Sequence, residues 1–204
     1  MSARVPTAHA LGRRARISAL QRTLRGALIL VALALWGLQP TRTAWAAGSL
    51  TGGTLMFSDF AASPLTGTQH MTSATWSIAN IADTRGTGAG WNLSLTLTPL
   101  REYSTGSSSY VPGGKALAAA SVAVTQSPTV SLVDQTSSPT TTLTLIAAGT
   151  VLDTGAPVTL ISAALSGGMG AYAFSALAVT LTVPARAYAT TYRADATVTL
   201  TTGP

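Results

Sequence analysis

Apolar and polar residues alternate along several short stretches of this chain. Residues 91–98 place a large apolar side chain at every odd position and a polar one at every even position. Residues 177–183 follow the same pattern, and so do residues 192–200. A period of two is typical of a strand that buries one face and exposes the other. These three segments are therefore predicted to be β-strands.

Turn residues separate these segments from further short stretches that favour strands. Gly86-Thr87-Gly88-Ala89-Gly90 is the clearest turn signal, and a short helix over residues 116–123 is an alternative because that stretch is rich in alanine. Many short strands without a helical period indicate an all-β fold, which we predict to be a single antiparallel β-sandwich domain over residues 47–204. The additional predicted strands are residues 54–59, 74–80, 118–125 and 141–146.

The first 46 residues have the different pattern of an export signal. A basic stretch precedes an apolar run at residues 26–38, which Pro40 ends. Ala44-Trp45-Ala46 then provides the small-x-small pattern that signal peptidases cleave. We therefore predict a signal peptide over residues 1–46, cleavage before Ala47, export by the general secretory route and no membrane attachment afterwards. The alternative is an uncleaved membrane anchor, which needs a longer apolar span.

The uneven distribution of charge excludes a nucleic-acid partner. The chain has 12 Lys and Arg residues against 6 Asp and Glu residues, a net charge of +6. Seven of the basic residues lie within residues 1–46, where no acidic residue occurs, whereas residues 47–204 carry five basic and six acidic residues. Nucleic-acid binding that is independent of base sequence needs a row of cations facing phosphates. The predicted domain lacks such a row.

Residue types that carry out catalysis or bind metals are scarce in residues 47–204. The chain contains no cysteine, which excludes disulfides, thiol nucleophiles and cysteine-ligated zinc. His70 is the single histidine of this region, no Gly-x-Ser-x-Gly segment occurs, and the acidic residues are scattered. We therefore expect no enzyme activity, no cofactor and no metal site.

One segment resembles a catalytic motif. Val151-Leu152-Asp153-Thr154-Gly155-Ala156, followed by the apolar residues 158–161, is similar to the signature of retropepsin-like aspartic proteases. Those enzymes use two such carboxylates to activate a water molecule. One copy of the segment would require a dimer, and only 49 residues follow Gly155. An Asp-Thr-Gly turn between two strands is the favoured interpretation, and a protease that uses Asp153 is the remote alternative.

Two further segments resemble the motifs of a known surface domain. Residues 76–93 end in Trp91-Asn92-Leu93, and residues 192–204 contain Val198-Thr199-Leu200 shortly before a Gly-Pro end. These segments resemble the proximal and distal motifs of the WxL domain, which is found on Gram-positive and related bacteria. Valine at position 198 departs from the tryptophan of the distal motif. The resemblance extends from about Leu55 to Pro204.

The resemblance implies an exported domain at the cell surface that associates non-covalently with the cell wall. Peptidoglycan is the expected polymer, and other wall polymers or other surface proteins are further possible partners. The alternative function is that of a structural subunit of a surface layer or fibre, assembled through the edges of its sheets.

Several residues of the motifs and their surroundings are candidate ligand contacts. Aromatic rings stack on sugar rings, and basic residues such as Arg85 and Arg101 pair with the carboxylates of stem peptides. Trp91 heads the apolar face of its strand, so a core position is favoured over a ligand contact. Asp83 and Arg85 either contact the ligand or pair with each other, and pairing is favoured. The ring of Tyr192 is expected to be buried with its hydroxyl at the rim.

Overall fold

The computed structural model describes residues 48–203, which form an antiparallel, almost wholly β-stranded fold. The predicted signal peptide and its cleavage site before Ala47 lie outside the described residues. The described part contains one turn of 3-10 helix, Thr140–Thr142. Its strands are β1 (Leu50–Gly52), β2 (Leu55–Met56), β3 (His70–Ile78), β4 (Ile81–Asp83), β5 (Trp91–Leu97), β6 (Arg101–Ser104), β7 (Ser109–Tyr110), β8 (Val122–Gln126), β9 (Val130–Leu132), β10 (Leu143–Leu145), β11 (Pro157–Ala163), β12 (Gly170–Phe174), β13 (Leu177–Val183), β14 (Tyr192–Arg193) and β15 (Ala196–Thr202).

These strands are arranged in antiparallel sheets that share one core. Two sheets contain the long strands, in the orders β10-β11-β5-β15 and β2-β3-β13-β8. A third sheet has the order β1-β4-β12-β9, and a small one has the order β14-β6-β7. The buried apolar residues of the first three sheets form a single cluster. The antiparallel β-sandwich predicted from the alternation is therefore confirmed.

The central strands follow the predicted alternation closely. In β5 the odd positions are buried, and Trp91, Leu93 and Leu95 have no exposed area, while the even positions are half-buried. In β13 the residues from Leu177 to Val183 alternate in the same way, except that Thr180 is also buried. Two stacked sheets each bury one face against the other and leave the second face outside. This is the arrangement that a period of two predicts.

Three predicted strands differ from the structure at their ends. Of residues 54–59 only Leu55–Met56 pair with a neighbour, because the chain then leaves the sheet. The strand predicted over residues 74–80 is β3, which begins earlier and ends at Ile78. The strand predicted over residues 141–146 is shorter, since the 3-10 turn occupies its start.

The alanine-rich stretch forms neither the long strand nor the short helix. β8 begins only at Val122, and residues 116–121 are irregular apart from one isolated bridge at Ala116. Ala120 has a φ of 74°, a left-handed conformation that neither a strand nor a right-handed helix contains. The predicted start of this strand at residue 118 was therefore wrong.

The C-terminal segment is not one continuous strand, as the alternation had predicted. β14 pairs with β6, whereas β15 pairs with β5. Between them the backbone N–H of Asp195 donates to the Thr98 hydroxyl at 2.9 Å, and the backbone N–H of Thr98 donates to the Asp195 carbonyl at 3.0 Å. Ala196 is exposed rather than buried, while Val198 and Leu200 pack against the core.

Within residues 48–203 no helix is both long enough and apolar enough to cross a bilayer.

Candidate functional site

Trp91 is a core residue. Its side chain has no exposed area, and its indole N–H donates to the Gly168 carbonyl at 2.9 Å. Its ring lies 6.3 Å from that of the fully buried Tyr172. Gly168 has a φ of 71°, and a Cβ there would lie 2.8 Å from the indole nitrogen, so glycine is required. The favoured interpretation of Trp91 as a structural residue agrees with this burial.

Asn92 connects the two sequence motifs. Its amide nitrogen donates to the carbonyl of Gly203 at 2.8 Å, next to the end of β15. The backbone N–H of Gly203 in turn donates to the carbonyl of Gly90 at 3.1 Å. The proximal motif therefore holds the C-terminal strand in place, and the Asn92 side chain makes a hydrogen bond within the domain.

The residues of the distal motif lie directly beside those of the proximal motif. Leu200 pairs with Leu93, Thr199 with Ser94 and Val198 with Leu95. Val198 and Leu200 pack on the edge of the core, and Thr199 is exposed. Valine at position 198 is smaller than the tryptophan of the distal motif, and it fills a half-buried position at the edge of this sheet.

Asp83 and Arg85 form an ion pair. Arg85 Nε and Nη2 donate to the two Asp83 carboxylate oxygens at 2.9 and 2.8 Å, and Nη2 also donates to the Gly90 carbonyl at 2.9 Å. Asp83 is 2 % exposed. The hydrogen bonds from Arg85 lower the pKa of this carboxyl below its ordinary value. The predicted pair therefore closes the glycine-rich turn, and a ligand contact by either residue stays a prediction.

Arg101 and Tyr192 lie on neighbouring strands of the small sheet, where Tyr192 pairs with Glu102 and Arg193 with Arg101. Arg101 is exposed, and its guanidinium lies 5.8 Å from the centre of the Tyr110 ring. Tyr192 is half-buried, and its hydroxyl accepts a hydrogen bond from the backbone N–H of Tyr188 at 3.3 Å. The structure thus brings these two candidates to one end of the domain.

Asp153 holds the start of β8. It has no exposed area, and its two carboxylate oxygens accept hydrogen bonds from the backbone N–H groups of Ser121 and Val122, both at 3.0 Å. His70 lies at the start of β3 and contacts the hydroxyl of Thr66. Among residues 48–203 no group of three or more His, Cys, Asp or Glu residues is placed to hold a metal ion.

A cleft of about 1100 Å³ opens between residues 57–65 and residues 187–194. We call it the aromatic cleft. Its volume is slightly above the usual range of small-molecule sites, which is about 300–1,000 Å³. Its floor is the apolar interior of the sandwich, including Leu97, Val122 and Leu181. Its aromatic residues are Phe57, Phe60, Trp76, Tyr103, Tyr188 and Tyr192.

The aromatic cleft presents both ring faces and polar groups. Tyr188 is 59 % exposed and Phe57 44 % exposed, and the Phe57 ring packs edge-on against Trp76 with centres 4.9 Å apart. The Arg193 guanidinium lies over the Tyr103 ring, with its central carbon 4.5 Å from the ring centre. The side chains of several serines and threonines also line the cleft. Such a surface can stack on apolar ring faces while it donates hydrogen bonds to hydroxyl groups.

The family to which the chain belongs follows from a comparison with family models. The model described as "WxL domain surface cell wall-binding" matches residues 54–204, most of the chain and nearly all of the described fold. The chain is a member of the WxL family. It therefore carries a surface domain of the kind that binds the cell wall. No curated protein and no solved structure gives a significant match.

The WxL motifs and the aromatic cleft occupy different parts of the domain. Neither Trp91 nor Asn92 lines the cleft, and of the predicted ligand contacts only Tyr192 does. The sequence analysis did not identify Phe57 or Tyr188 as candidate contacts, and both lie outside the strands of the structure. Their grouping depends on two segments that are far apart in the chain.

Proposed function

We propose that this chain is an exported bacterial surface protein that binds peptidoglycan non-covalently through the aromatic cleft. The observation that carries the proposal is the WxL family match over residues 54–204. Peptidoglycan offers sugar rings for stacking and peptide carboxylates for ion pairs. This non-covalent contact holds the domain at the wall, and the domain carries out no reaction there.

The exposed rings of the aromatic cleft support a glycan as the ligand. Tyr188 and Phe57 offer faces for sugar rings, since the flat apolar side of a pyranose packs well on an aromatic ring. Arg193 and Lys115 supply positive charge, with the Arg193 guanidinium 4.5 Å from the centre of the Tyr103 ring and Lys115 Nζ 4.6 Å from the centre of the Tyr188 ring. Both cations are suitable partners for the carboxylates of stem peptides.

We propose that the domain has no enzyme activity and uses no cofactor. Asp153 is the one residue with a resemblance to a catalytic motif, and its carboxylate is occupied by two backbone N–H groups. A nucleophilic or general-base role requires access to a substrate. Its burial favours a structural role instead.

Pelleting with purified sacculi tests the proposal. The full chain is expressed in a bacterial host, and the purified product is centrifuged with sacculi over a series of salt concentrations. We expect it to pellet at low and high salt, because stacking and hydrogen bonds are screened less than exposed charge pairs. Recovery of folded protein in the supernatant at every salt concentration would overturn wall binding.

Paired variants test the role of the aromatic cleft. Tyr188→Ala removes an exposed ring from the cleft and should weaken binding to sacculi roughly five- to tenfold without a loss of stability. Leu165→Ala is the matched control, since Leu165 is 70 % exposed and lies outside the cleft. Equal affinities of the two variants and the unaltered protein would place the ligand elsewhere on the domain.

The route to the surface is part of the same proposal. We propose that residues 1–46 direct export through the general secretory pathway and are removed before Ala47. Mass spectrometry of the protein recovered from the wall or the medium tests this step. An N-terminus at Ala47 is expected, and retention of residues 26–38 would favour the alternative of an uncleaved anchor.

A further inference from the structure

β15 is a long edge strand without the features that usually prevent edge pairing. It pairs with β5 over all seven of its residues without a register shift, and no described strand pairs with its other side. Its sequence, Ala-Thr-Val-Thr-Leu-Thr-Thr, contains neither a charged residue nor a proline. Natural edge strands are commonly protected by lysine, proline, bulges or short length.

The backbone groups of β15 that face away from β5 follow from the hydrogen bonds at its two ends. Thr98 donates to the Asp195 carbonyl and Gly203 donates to the Gly90 carbonyl, so odd-numbered residues bond to β5. Because bonding alternates along an antiparallel pair, the even-numbered residues direct their N–H and C=O groups to the open edge. These residues are Ala196, Val198, Leu200 and Thr202.

The other sheet edges of the described part are short or covered. The outer edge of β8 is covered by residues 149–152, where Val124 donates to the Thr150 carbonyl and Leu152 to the Val122 carbonyl. The edge strands β2, β10, β1 and β9 have two or three residues each. Within residues 48–203, β15 is therefore the one long edge that another strand can extend.

We propose that β15 pairs antiparallel with β15 of a second copy of this chain, about a two-fold axis at Thr199. In this register Ala196 lies opposite Thr202 and Val198 lies opposite Leu200. All four N–H and all four C=O groups of each open edge then find partners. Moving the axis by one residue in either direction leaves some of these groups unpaired. The result is a closed dimer in which two four-stranded sheets form one continuous sheet.

The side chains of β15 are complementary in the same register. Val198 and Leu200 share the core-facing side of the strand. Val198 of each copy would contact Leu200 of the other copy. On the opposite side of the strand, Thr197 lies opposite Thr201 and Thr199 lies opposite its own counterpart, and threonine–threonine is a favourable cross-strand pair. Asp195 lies opposite Gly203, so no like charges meet. This self-complementarity identifies a second copy as the occupant, rather than an unrelated strand.

A single cysteine provides the first test, since the chain contains no native cysteine. Thr199 is exposed and faces its own counterpart at a non-hydrogen-bonded position, where Cα atoms are about 4.5 Å apart and a disulfide can form. The full chain with Thr199→Cys should therefore form a covalent dimer under mild oxidation. Thr197→Cys is the matched control, because position 197 of one copy would lie about 13 Å along the strand from position 197 of the other copy. Equal crosslinking of the two variants, or none with Thr199→Cys, would overturn the register.

Charge at position 199 provides the second test. The unaltered chain should approach twice its monomer mass in sedimentation as its concentration rises from about 1 to about 200 µM. Thr199→Lys places two cations opposite each other and should weaken the dimer about tenfold or more, whereas Thr197→Lys, opposite Thr201, should not. Mixing Thr199→Lys with Thr199→Asp should restore the dimer. Monomers of the unaltered chain at every concentration would overturn the proposal and leave the edge to another protein's strand.

Dimer formation and wall binding are tested separately. All three Thr199 variants retain the aromatic cleft, because β15 contributes only Ala196 to its lining. A monomeric variant that still pellets with sacculi supports a dimer contact that is independent of the ligand site. Melting curves confirm that each variant is folded before either property is compared.

Discussion

Replacing Trp91 by phenylalanine separates a structural role from a ligand contact. The change removes the indole N–H that donates to Gly168 and leaves that buried carbonyl without its partner, which costs about 1–3 kcal/mol. The smaller ring also leaves a void in a site with no solvent exposure, which adds roughly 1 kcal/mol. The free energy of unfolding should therefore fall by about 2–4 kcal/mol. In a domain of this size the melting temperature should fall by roughly 5–15 °C.

Thermal unfolding followed by circular dichroism measures this change in stability. Sacculus pelleting, at a temperature where both proteins are folded, measures the affinity for the wall. We expect Trp91→Phe to lower the melting temperature and leave that affinity unchanged, which is the reverse of the behaviour expected for Tyr188→Ala. A Trp91→Phe protein with the original melting temperature and a tenfold weaker affinity would refute the assignment of Trp91 to the core.

Three further substitutions test the structural roles of individual side chains. Val198→Ser should destabilise the domain by about 1 kcal/mol, and a soluble variant with an unchanged melting temperature would contradict this. Asp83 has its pKa lowered by Arg85, so the stability from this pair is present above the unfolded pKa near 3.8 and is lost as pH falls through the lower folded value. Asp83→Asn should therefore flatten the acid side of a plot of urea midpoint against pH. Asp153→Asn should weaken the two bonds to the start of β8 and lower the urea midpoint by an amount equivalent to about 1–3 kcal/mol, whereas an unchanged midpoint would argue against this anchor.

The sequence was least informative about the aromatic cleft. The motif residues Trp91 and Leu93 were recognisable because they match the proximal motif of the WxL domain, yet both are fully buried. The rings of the aromatic cleft come from residues 57–60, 76, 103 and 188–192, which no local pattern relates to one another. Side chains in irregular segments carry little periodic signal, and their grouping follows only from the folded chain.

The interruption of the C-terminal strand has a similar cause. Alternation along residues 192–200 depends on side-chain chemistry alone, and this pattern continues across Asp195. The break arises because Asp195 pairs with Thr98, at the point where the neighbouring strand passes from β5 to β6. A strand ends where its partner ends, and the partner is distant in the chain.

The sequence by itself determined the class of the fold, the positions of β5 and β13 and the turn at Gly86–Gly90. Each of these depends on residues close together in the chain, through the two-residue period of a strand or the conformational freedom of glycine. Only the tertiary structure decided that β15 lies beside β5, that no strand within residues 48–203 pairs with its outer edge and that the aromatic cleft forms. These features depend on contacts between residues far apart in sequence, where many pairings satisfy the same local pattern and packing selects one of them.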